Sequence, residues 1–575
     1  MRPIKHRLRA IATTLPQLII ANLPLMMLWI AALAAPAVGD LPKLWELEFP
    51  TVRYVLGLLR IMACSTGLAV VVAAVIAITA TKRWIRWPLA TLAMVLIGIY
   101  AFLMTNYHSR LTPEVFTFIA ETTSDEAGEY AATFVLHGTG LILLLTLVAV
   151  LVVWIVLDIR WQRRTHTATR RTTVAVWTVL ALALTGAACA PSTWSLAASL
   201  VRADNREFND AFGLDVISNV MFCCHSMQLT DRLTENAIDA TRKACETPVT
   251  MPDDAPTVVL VIGESYIKSH AAIYGYSLPT TPRMSRERDN GNLWAFNQAV
   301  SQFSNTNMAV RNILSTNSIA QGEEWQQQPI FPALFKRAGY QVDLWDNQRE
   351  FFRESAYTRG LNAFIYNPEV MALCFTHHNR RNYDYDAPLI DHYTHSPYNT
   401  GKCPRLVIFH LRGQHVMASR RYPHHEGFDR FTPADYTFRT DEFLTRDMLE
   451  KIAHYDNATL YNDHVVGMIF DAFRDCDAAV VYVSDHGDEV YDYRPSMGRR
   501  PDEARPEAAR QYQNHVPLVV WCSPTYTRRR PAIVKRLTDA INRPVSTDNV
   551  AQLIMSLATL RSPYYHPERD PLGGE

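Results

Sequence analysis

The chain has 575 residues, of which 48% are hydrophobic, and 56 Lys and Arg balance 56 Asp and Glu. That length is too great for one ordinary domain, and a net charge of zero removes any bulk electrostatic case for nucleic-acid binding. Composition changes sharply near residue 195, apolar before it and ordinarily globular after it. In the first part, five uncharged stretches occupy residues 11–38, 61–80, 87–104, 138–157 and 172–190. Each is near the roughly 20 residues that a helix needs to cross a bilayer. A buried helix of a large soluble core is also apolar, but five such stretches in succession argue for a membrane domain.

Basic residues set the orientation. Arg2, Lys5, Arg7 and Arg9 precede the first stretch, Lys82, Arg83 and Arg86 separate the second from the third, and Arg160, Arg163, Arg164, Arg170 and Arg171 separate the fourth from the fifth. The other two loops are mixed or acidic, with Asp40, Lys43, Glu46, Glu48 and Arg53 in one and Glu114, Glu121, Asp125, Glu126 and Glu129 in the other. The positive-inside rule places the N-terminus in the cytoplasm, and five crossings carry everything after Ala190 to the opposite side. The first stretch is long, contains Pro16, Pro24 and Pro36 and lacks a clear cleavage site, so it is not read as a signal peptide.

Residues 191–250 are polar but periodic, with Val216, Val220, Met221 and Leu229 spaced for helical packing. Pro252, Asp253, Asp254 and Pro256 punctuate the end of this segment. The expected plan is a transmembrane domain over 1–195, a bridging helical linker over 196–255 and a catalytic α/β domain over 256–575. Of nine cysteines, Cys64 and Cys189 lie in spans, and Cys223, Cys224, Cys245, Cys374, Cys403, Cys476 and Cys522 lie in the exported part. An oxidising compartment favours disulfides among these seven, and the odd number leaves one over. Cys522 ends an apolar run and is expected as a buried thiol.

After residue 256, strand-like runs at 258–262, 341–345, 405–410, 478–484 and 516–521 alternate with helical patterns near 306–316, 330–338, 443–475 and 546–560. This alternation predicts a mainly parallel sheet covered on both faces. The first strand runs into Gly263-Glu264-Ser265 and the fourth into Asp485-His486-Gly487-Asp488-Glu489. Ligands in open α/β sheets gather beyond the carboxyl ends of the strands, and carboxylate plus imidazole is a zinc ligand set. Taken alone, Ser265 reads as a helix cap beside a solvated Glu264, and Asp485 as the start of a polar turn. The two together point to a metal site.

The combined motifs make the resemblance specific. They are Val-Ile-Gly-Glu264-Ser265 with the downstream Gly275-Tyr276-Ser-Leu-Pro-Thr-Thr281-Pro282, then Tyr455-Asp456-Asn457-Ala458, then Ser484-Asp-His-Gly-Asp-Glu-Val-Tyr-Asp492 with Gly498-Arg499 beyond. The loop from Leu111-Thr-Pro to Tyr130 contributes as well. The chain resembles a bacterial phosphoethanolamine transferase of the alkaline phosphatase superfamily, over nearly its whole length. The resemblance implies five membrane helices, a periplasmic alkaline-phosphatase-like domain and a threonine nucleophile at a helix N-terminus. Thr306, in Phe303-Ser-Asn-Thr306-Asn-Met-Ala-Val-Arg-Asn-Ile-Leu-Ser315, fits that place, with Ser304 or Ser301 as fallback. A helix cap is the plain alternative for Ser304, Asn305 or Thr306.

On this resemblance Glu264, Thr306, Asp485 and His486 form a Zn²⁺ site, and a second zinc is open. His415 is expected at the substrate or a second metal, His515 as a further contact and Asp488 in support, while His424 and His425 are surface residues. Arg311 and Lys268 are candidates for pairing with phosphate, with solvated charge as the ordinary alternative. The chain departs from the lipid A branch, which flanks its threonine with cysteines and a proline. Here Asn305 and Asn307 flank Thr306 with no cysteine nearby, and the context after His486 looks nearer to the lipopolysaccharide-core branch.

The implied reaction takes phosphoethanolamine from phosphatidylethanolamine to an envelope glycolipid, lipopolysaccharide core or lipid A, at the outer face of the inner membrane. The alternatives are a phosphoglycerol transferase of the same superfamily, a membrane sulfatase or phosphodiesterase, and a non-catalytic membrane scaffold. No Cys/Ser-x-Pro-x-Arg motif of a sulfatase lies near Thr306, and all four candidate ligands are in place.

Overall fold

The computed structural model describes residues 14–40, 66–76, 78–80, 82–107, 111, 127–128, 130–164, 169–189, 216–348, 364–399, 404–499 and 507–573. The first basic cluster, most of the two acidic loops, the first part of the bridging segment and Cys403 lie outside these residues. The chain forms two compact units, residues 1–120 with 130–229 and residues 121–129 with 230–575.

The first unit is helical: α1 (Thr14–Ala21), α2 (Leu23–Asp40), α3 (Thr66–Ile76), α4 (Arg83–Tyr107), α5 (Gly138–Gln162) and α6 (Arg170–Cys189). Among the described residues, α4 and α5 are long and apolar enough to cross a membrane, and α1 with α2 make a third span if counted as one helix bent by 73°. The bend has a cause. Pro24 cannot donate an amide hydrogen and breaks the helical ladder. A carbonyl freed within lipid is tolerated only where a neighbour satisfies it. Helix α5 does so: Trp161 Nε1 donates to the Ile20 carbonyl at 3.0 Å, Gln162 Nε2 to Ala21 at 2.7 Å and Trp154 Nε1 to Pro24 at 3.1 Å.

Arg86 differs from expectation. The charge pattern predicts a loop there, yet Arg86 sits inside α4 and is 1% exposed, paired with the equally buried Asp158 of α5. Loss of charge is a poor guide to where a helix begins when a partner carboxylate is within reach. Arg86 also donates to Asn22 at the bend, so the pair ties three helices together.

The described part of the bridging segment contains one helix, α7 (Val216–Glu246), which begins in the first unit; its residues Ala237, Ile238 and Ala244 belong to the second unit and to that unit's apolar core. In the second unit the strands are β1 (Thr257–Gly263), β2 (Leu293–Ala295), β3 (Gln298–Val300), β4 (Gln341–Asp346), β5 (His377–His378), β6 (Arg405–His410), β7 (Ala478–Ser484), β8 (Leu518–Cys522) and β9 (Pro544–Ser546). Seven of them form one sheet in the order β2-β8-β7-β1-β6-β4-β5. The β7-β1-β6-β4-β5 run is parallel, whereas β8 is antiparallel to β7 and β2. Strands β3 and β9 pair separately.

The central strands are unbroken apolar runs because both faces of the sheet are covered. Val258, Leu260 and Ile262 of β1 face one core with Val310 and Ile313 of α8 (Thr306–Leu314). Val259 and Val261 face the other with Val465, Val466 and Ile469 of α9 (Arg446–Phe473). Each such fully buried side chain contributes about 1.5–3 kcal/mol. Cys522 is a buried thiol as expected, and Cys245 and Cys374 are thiols rather than the half-cystines an oxidising compartment favours.

Candidate active site

The register of β1 and β7 builds the site. Gly263 pairs with Ser484, so Glu264 and Asp485 leave adjacent parallel strands side by side at the same edge. Both are fully buried, as is His486. Candidate ligand atoms of Glu264, Asp485 and His486 lie within 4.8 Å of one another.

Ser265 orients both carboxylates. Its Oγ donates to Glu264 Oε1 at 2.6 Å and its amide to Asp485 Oδ1 at 3.1 Å. It does so from a left-handed backbone conformation, φ +58°. Such strain costs about 1–3 kcal/mol and persists only where the surroundings over-determine it. Tyr455 of α9 supplies the restraint: its hydroxyl donates to the Ser265 carbonyl at 2.6 Å and accepts from the Ile267 amide at 2.8 Å.

A second backbone is pressed onto Glu264. Gly413, at φ +48°, packs so closely that a Cβ there would lie 2.7 Å from the Glu264 carbonyl oxygen and 2.9 Å from its nitrogen. The Gln414 amide donates to the same carbonyl at 3.0 Å. Gln348, just beyond β4, donates from Nε2 to Glu264 Oε2 at 3.1 Å.

Thr306 begins α8, but it is not the cap. Asn305 takes that role, its side chain accepting from the Met308 amide at 2.9 Å. The Thr306 hydroxyl is therefore left for the cluster, donating to Glu264 Oε2 at 3.1 Å and lying 3.1 Å from His486 Nε2. His486 Nδ1 lies 2.9 Å from the Gly487 carbonyl, which can only accept, so Nδ1 carries a proton and Nε2 is turned to the cluster. Nε2 is also 3.1 Å from Asp485 Oδ2 and 3.4 Å from Glu264 Oε1.

These residues fit a zinc ion. Asp485 Oδ2 is buried with no hydrogen bond formed to it, and two buried carboxylates with an imidazole and a hydroxyl match the tetrahedral donor set. Burial raises the Asp485 carboxyl, but His486 with Arg499 more than reverses this and holds it below the usual carboxylate range. The ionised form is the form that ligates.

The other expected residues divide. His415 is in the site wall, buried beside Glu264, Arg421, Arg499 and His486, and burial holds its imidazole neutral with a pKa of about 3. Asp488 is buried with Oδ1 lacking a hydrogen bond, and burial pushes its carboxyl up to about 6 despite Arg499 and His486. His515 is exposed and holds Lys268 and Val300 through its backbone, with no side-chain bond to the cluster among the described residues. Ser301 donates its hydroxyl to the Phe303 carbonyl at 3.0 Å. Arg311 stacks over Trp325 and Phe364, and Lys268 over Tyr274, so neither is turned to Thr306. His424 pairs with Asp429 at the surface, and His425 is exposed.

The sequence motifs contain Ser265 and Tyr455 without showing that one orients both carboxylates and the other restrains its turn, and they do not include Gln348. Gln348 carried a readable signal, since it follows a strand at the ligand edge. The left-handed turn at Ser265 carried none.

A family model described as Sulfatase matches residues 256–560, which begin just before β1 and contain the whole cluster. The chain belongs to the sulfatase family. It is 28% identical over 317 residues to the phosphoethanolamine transferase EptC of Escherichia coli K12, covering 54% of this chain and 52% of that protein. It is 29% identical over 276 residues to the Kdo(2)-lipid A phosphoethanolamine 7''-transferase of Salmonella typhimurium LT2, covering 48% of this chain and 45% of that protein. The chain thus spans about half the length of the curated relatives it matches. Among solved structures, the integral membrane lipooligosaccharide phosphoethanolamine transferase A of Neisseria meningitidis superposes with a TM-score of 0.61 at 20% identity, covering 96% of this chain and 97% of that one. The shared fold therefore includes the helical membrane unit as well as the α/β unit.

Proposed function

We propose that this chain is a zinc-dependent phosphoethanolamine transferase that moves the group from phosphatidylethanolamine to an envelope glycolipid, lipopolysaccharide core or lipid A. The observation that carries the reading is the Thr306 hydroxyl, relieved of capping by Asn305 and held between Glu264 Oε2 and His486 Nε2. The curated relatives above are named phosphoethanolamine transferases, one of them acting on Kdo(2)-lipid A, and the membrane unit suits a reaction whose donor and leaving group are both lipids. The membrane domain over 1–195 crosses five times with the N-terminus in the cytoplasm, the linker covers 196–255, and the domain over 256–575 works in the periplasm.

Glu264, Asp485, His486 and the Thr306 oxygen would hold the zinc, with His415 and Asp488 beside them and His515 at the margin. When bound, the zinc supplies Lewis-acid stabilisation of the threonine oxygen and of the phosphoryl group. The remaining chemistry belongs to the chain. Thr306 Oγ1 forms a bond to phosphorus while the bond from phosphorus to the diacylglycerol oxygen breaks. The threonine proton starts on the hydrogen bond to Glu264 Oε2, and the departing diacylglycerol oxygen gains one proton, so charge balances. An acceptor oxygen then takes the phosphoethanolamine from Thr306, loses its proton and restores the hydroxyl. Neutral His415, in the wall of the site, can donate a hydrogen bond to the bound diester without adding charge.

The test uses full-length protein in detergent with fluorescent phosphatidylethanolamine, phosphatidylglycerol or an aryl sulfate. Labelled diacylglycerol from the first lipid alone, abolished by chelation and restored by zinc, supports the proposal. Turnover of phosphatidylglycerol instead moves the chain to the phosphoglycerol branch, and turnover of the sulfate makes it a sulfatase.

A further inference from the structure

Beyond β7 the chain turns back on itself. Val490 bridges Met497, the Gly498 amide donates to the Glu489 carbonyl at 2.8 Å, and Gly498 takes a left-handed conformation at φ +92°. This turn returns Arg499 to the site. Its Nη1 donates to the Ser304 carbonyl at 3.0 Å, and the guanidinium lies along the His486 ring, whose Nε2 faces Thr306 Oγ1. The guanidinium therefore spans two walls of the site, the entry to α8 and the loop after β7.

Three observations set Arg499 apart. Among the described residues no carboxylate is at ion-pair distance from it, whereas Arg494 pairs with Glu489, Arg439 with Asp441 and Arg530 with Asp477. Its two contacts leave several donors of the planar fork unspent. The other cations nearby are committed elsewhere: Arg311 and Lys268 stack on aromatic rings, and Arg421 donates to the His415 and Val416 carbonyls. The cluster itself presents the buried acids Glu264, Asp485 and Asp488, which would repel an anionic diester. A fixed cation facing the nucleophile offsets that repulsion, and a guanidinium fork matches two phosphoryl oxygens.

We propose that Arg499 is a catalytic residue that binds the non-bridging phosphoryl oxygens of the donor diester and of the phospho-threonine intermediate. The proposal rests on Thr306 being the nucleophile, and it adds an anion subsite to that reading. In each transfer one phosphorus–oxygen bond forms as another breaks, so the phosphoryl group keeps its single negative charge and Arg499 its positive charge throughout. Its contribution grows as charge builds on those oxygens in the transition state.

The test compares full-length zinc-loaded wild type, Arg499→Ala and Arg499→Lys. Inorganic phosphate is the probe, titrated as a competitive inhibitor and by its ³¹P signal, with zinc content measured in each protein. Arg499→Ala is expected to lose about 100-fold in kcat, the usual scale for removing one transition-state donor. Its inhibition constant for phosphate rises at least about tenfold, its zinc content is unchanged, and Arg499→Lys recovers part of both losses. Unchanged phosphate affinity in Arg499→Ala overturns the proposal. So does a loss of zinc that parallels the loss of activity, since the residue would then be structural. Failure of the function reading looks different: wild type turns over no lipid, while phosphate binding still differs between wild type and Arg499→Ala.

Discussion

Replacing His270 with glutamine tests whether a buried imidazolium braces the loop that carries Asp485 and His486. His270 is 1% exposed, with Nδ1 2.6 Å from Asp456 Oδ1 and Nε2 2.9 Å from Asp492 Oδ1. Tyr276 and Tyr436 both donate to Asp456 Oδ2 at 2.7 Å, and Asp492 Oδ2 accepts from the Val490 amide at 2.9 Å. The network thus joins the loop after β1, helix α9 and the loop after β7. Burial alone would lower the imidazole pKa, but Asp456 and Asp492 outweigh it and raise the value from 6.5 to about 10. A raised folded-state value gives stability that is complete below the unfolded pKa of 6.5 and is lost as pH climbs through about 10. At about 1.4 kcal/mol per unit, the whole window is worth of order 5 kcal/mol. Stripping one side from a buried ion pair costs ~3–5 kcal/mol, which agrees. The assay is thermal unfolding of detergent-solubilised wild type and His270→Gln across the pH range from neutral to mildly alkaline. Wild type should be the more stable at neutral pH, and the gap should narrow by about 3 kcal/mol over two pH units. A gap that is constant with pH would refute the imidazolium.

Three further outcomes follow from the packing. Gly413→Ala adds a Cβ 2.7 Å from the Glu264 carbonyl oxygen and strains a φ of +48°, so Glu264 must shift. Strain and overpacking cost about 2–4 kcal/mol together, and kcat should fall by about 100-fold, the scale of an ångström-sized displacement; unaltered kcat would contradict the close approach. Tyr455→Phe leaves the Ser265 carbonyl and Ile267 amide without their buried partner, costing about 1–3 kcal/mol, and zinc titration should read an affinity lower by about 10–100-fold. Asp158→Leu leaves Arg86 buried and unpaired at a cost of ~3–5 kcal/mol, which the double change to leucine should largely recover in a detergent melting experiment.

Much of the site could be read from two strands. The unbroken apolar runs of β1 and β7 end in Glu264 and Asp485-His486, and parallel pairing of such runs brings their ends together. Thr306 needed the family pattern, because a hydroxyl at a helix start is as readily a cap; only the Asn305 bond to Met308 separates the two roles. The direction of β8 was not readable, since an apolar run pairs equally well either way and β8 proves antiparallel to β7. Arg86 and Asp158 were invisible for a related reason: they are 72 positions apart, and each alone looks like the charged edge of a span. Asp456 lies in the Tyr455-Asp456-Asn457-Ala458 motif and His270 between two others, yet their partnership across 186 positions exists only once α9 is packed against the β1 loop.

The most direct test of the account is peptide mass analysis of wild type quenched during turnover of phosphatidylethanolamine. The account predicts phosphoethanolamine on Thr306 in wild type and none in Thr306→Ala, which keeps Asn305 as the helix cap. Modification of Ser301 or Ser304 instead, or lipid turnover that persists in Thr306→Ala, would contradict it.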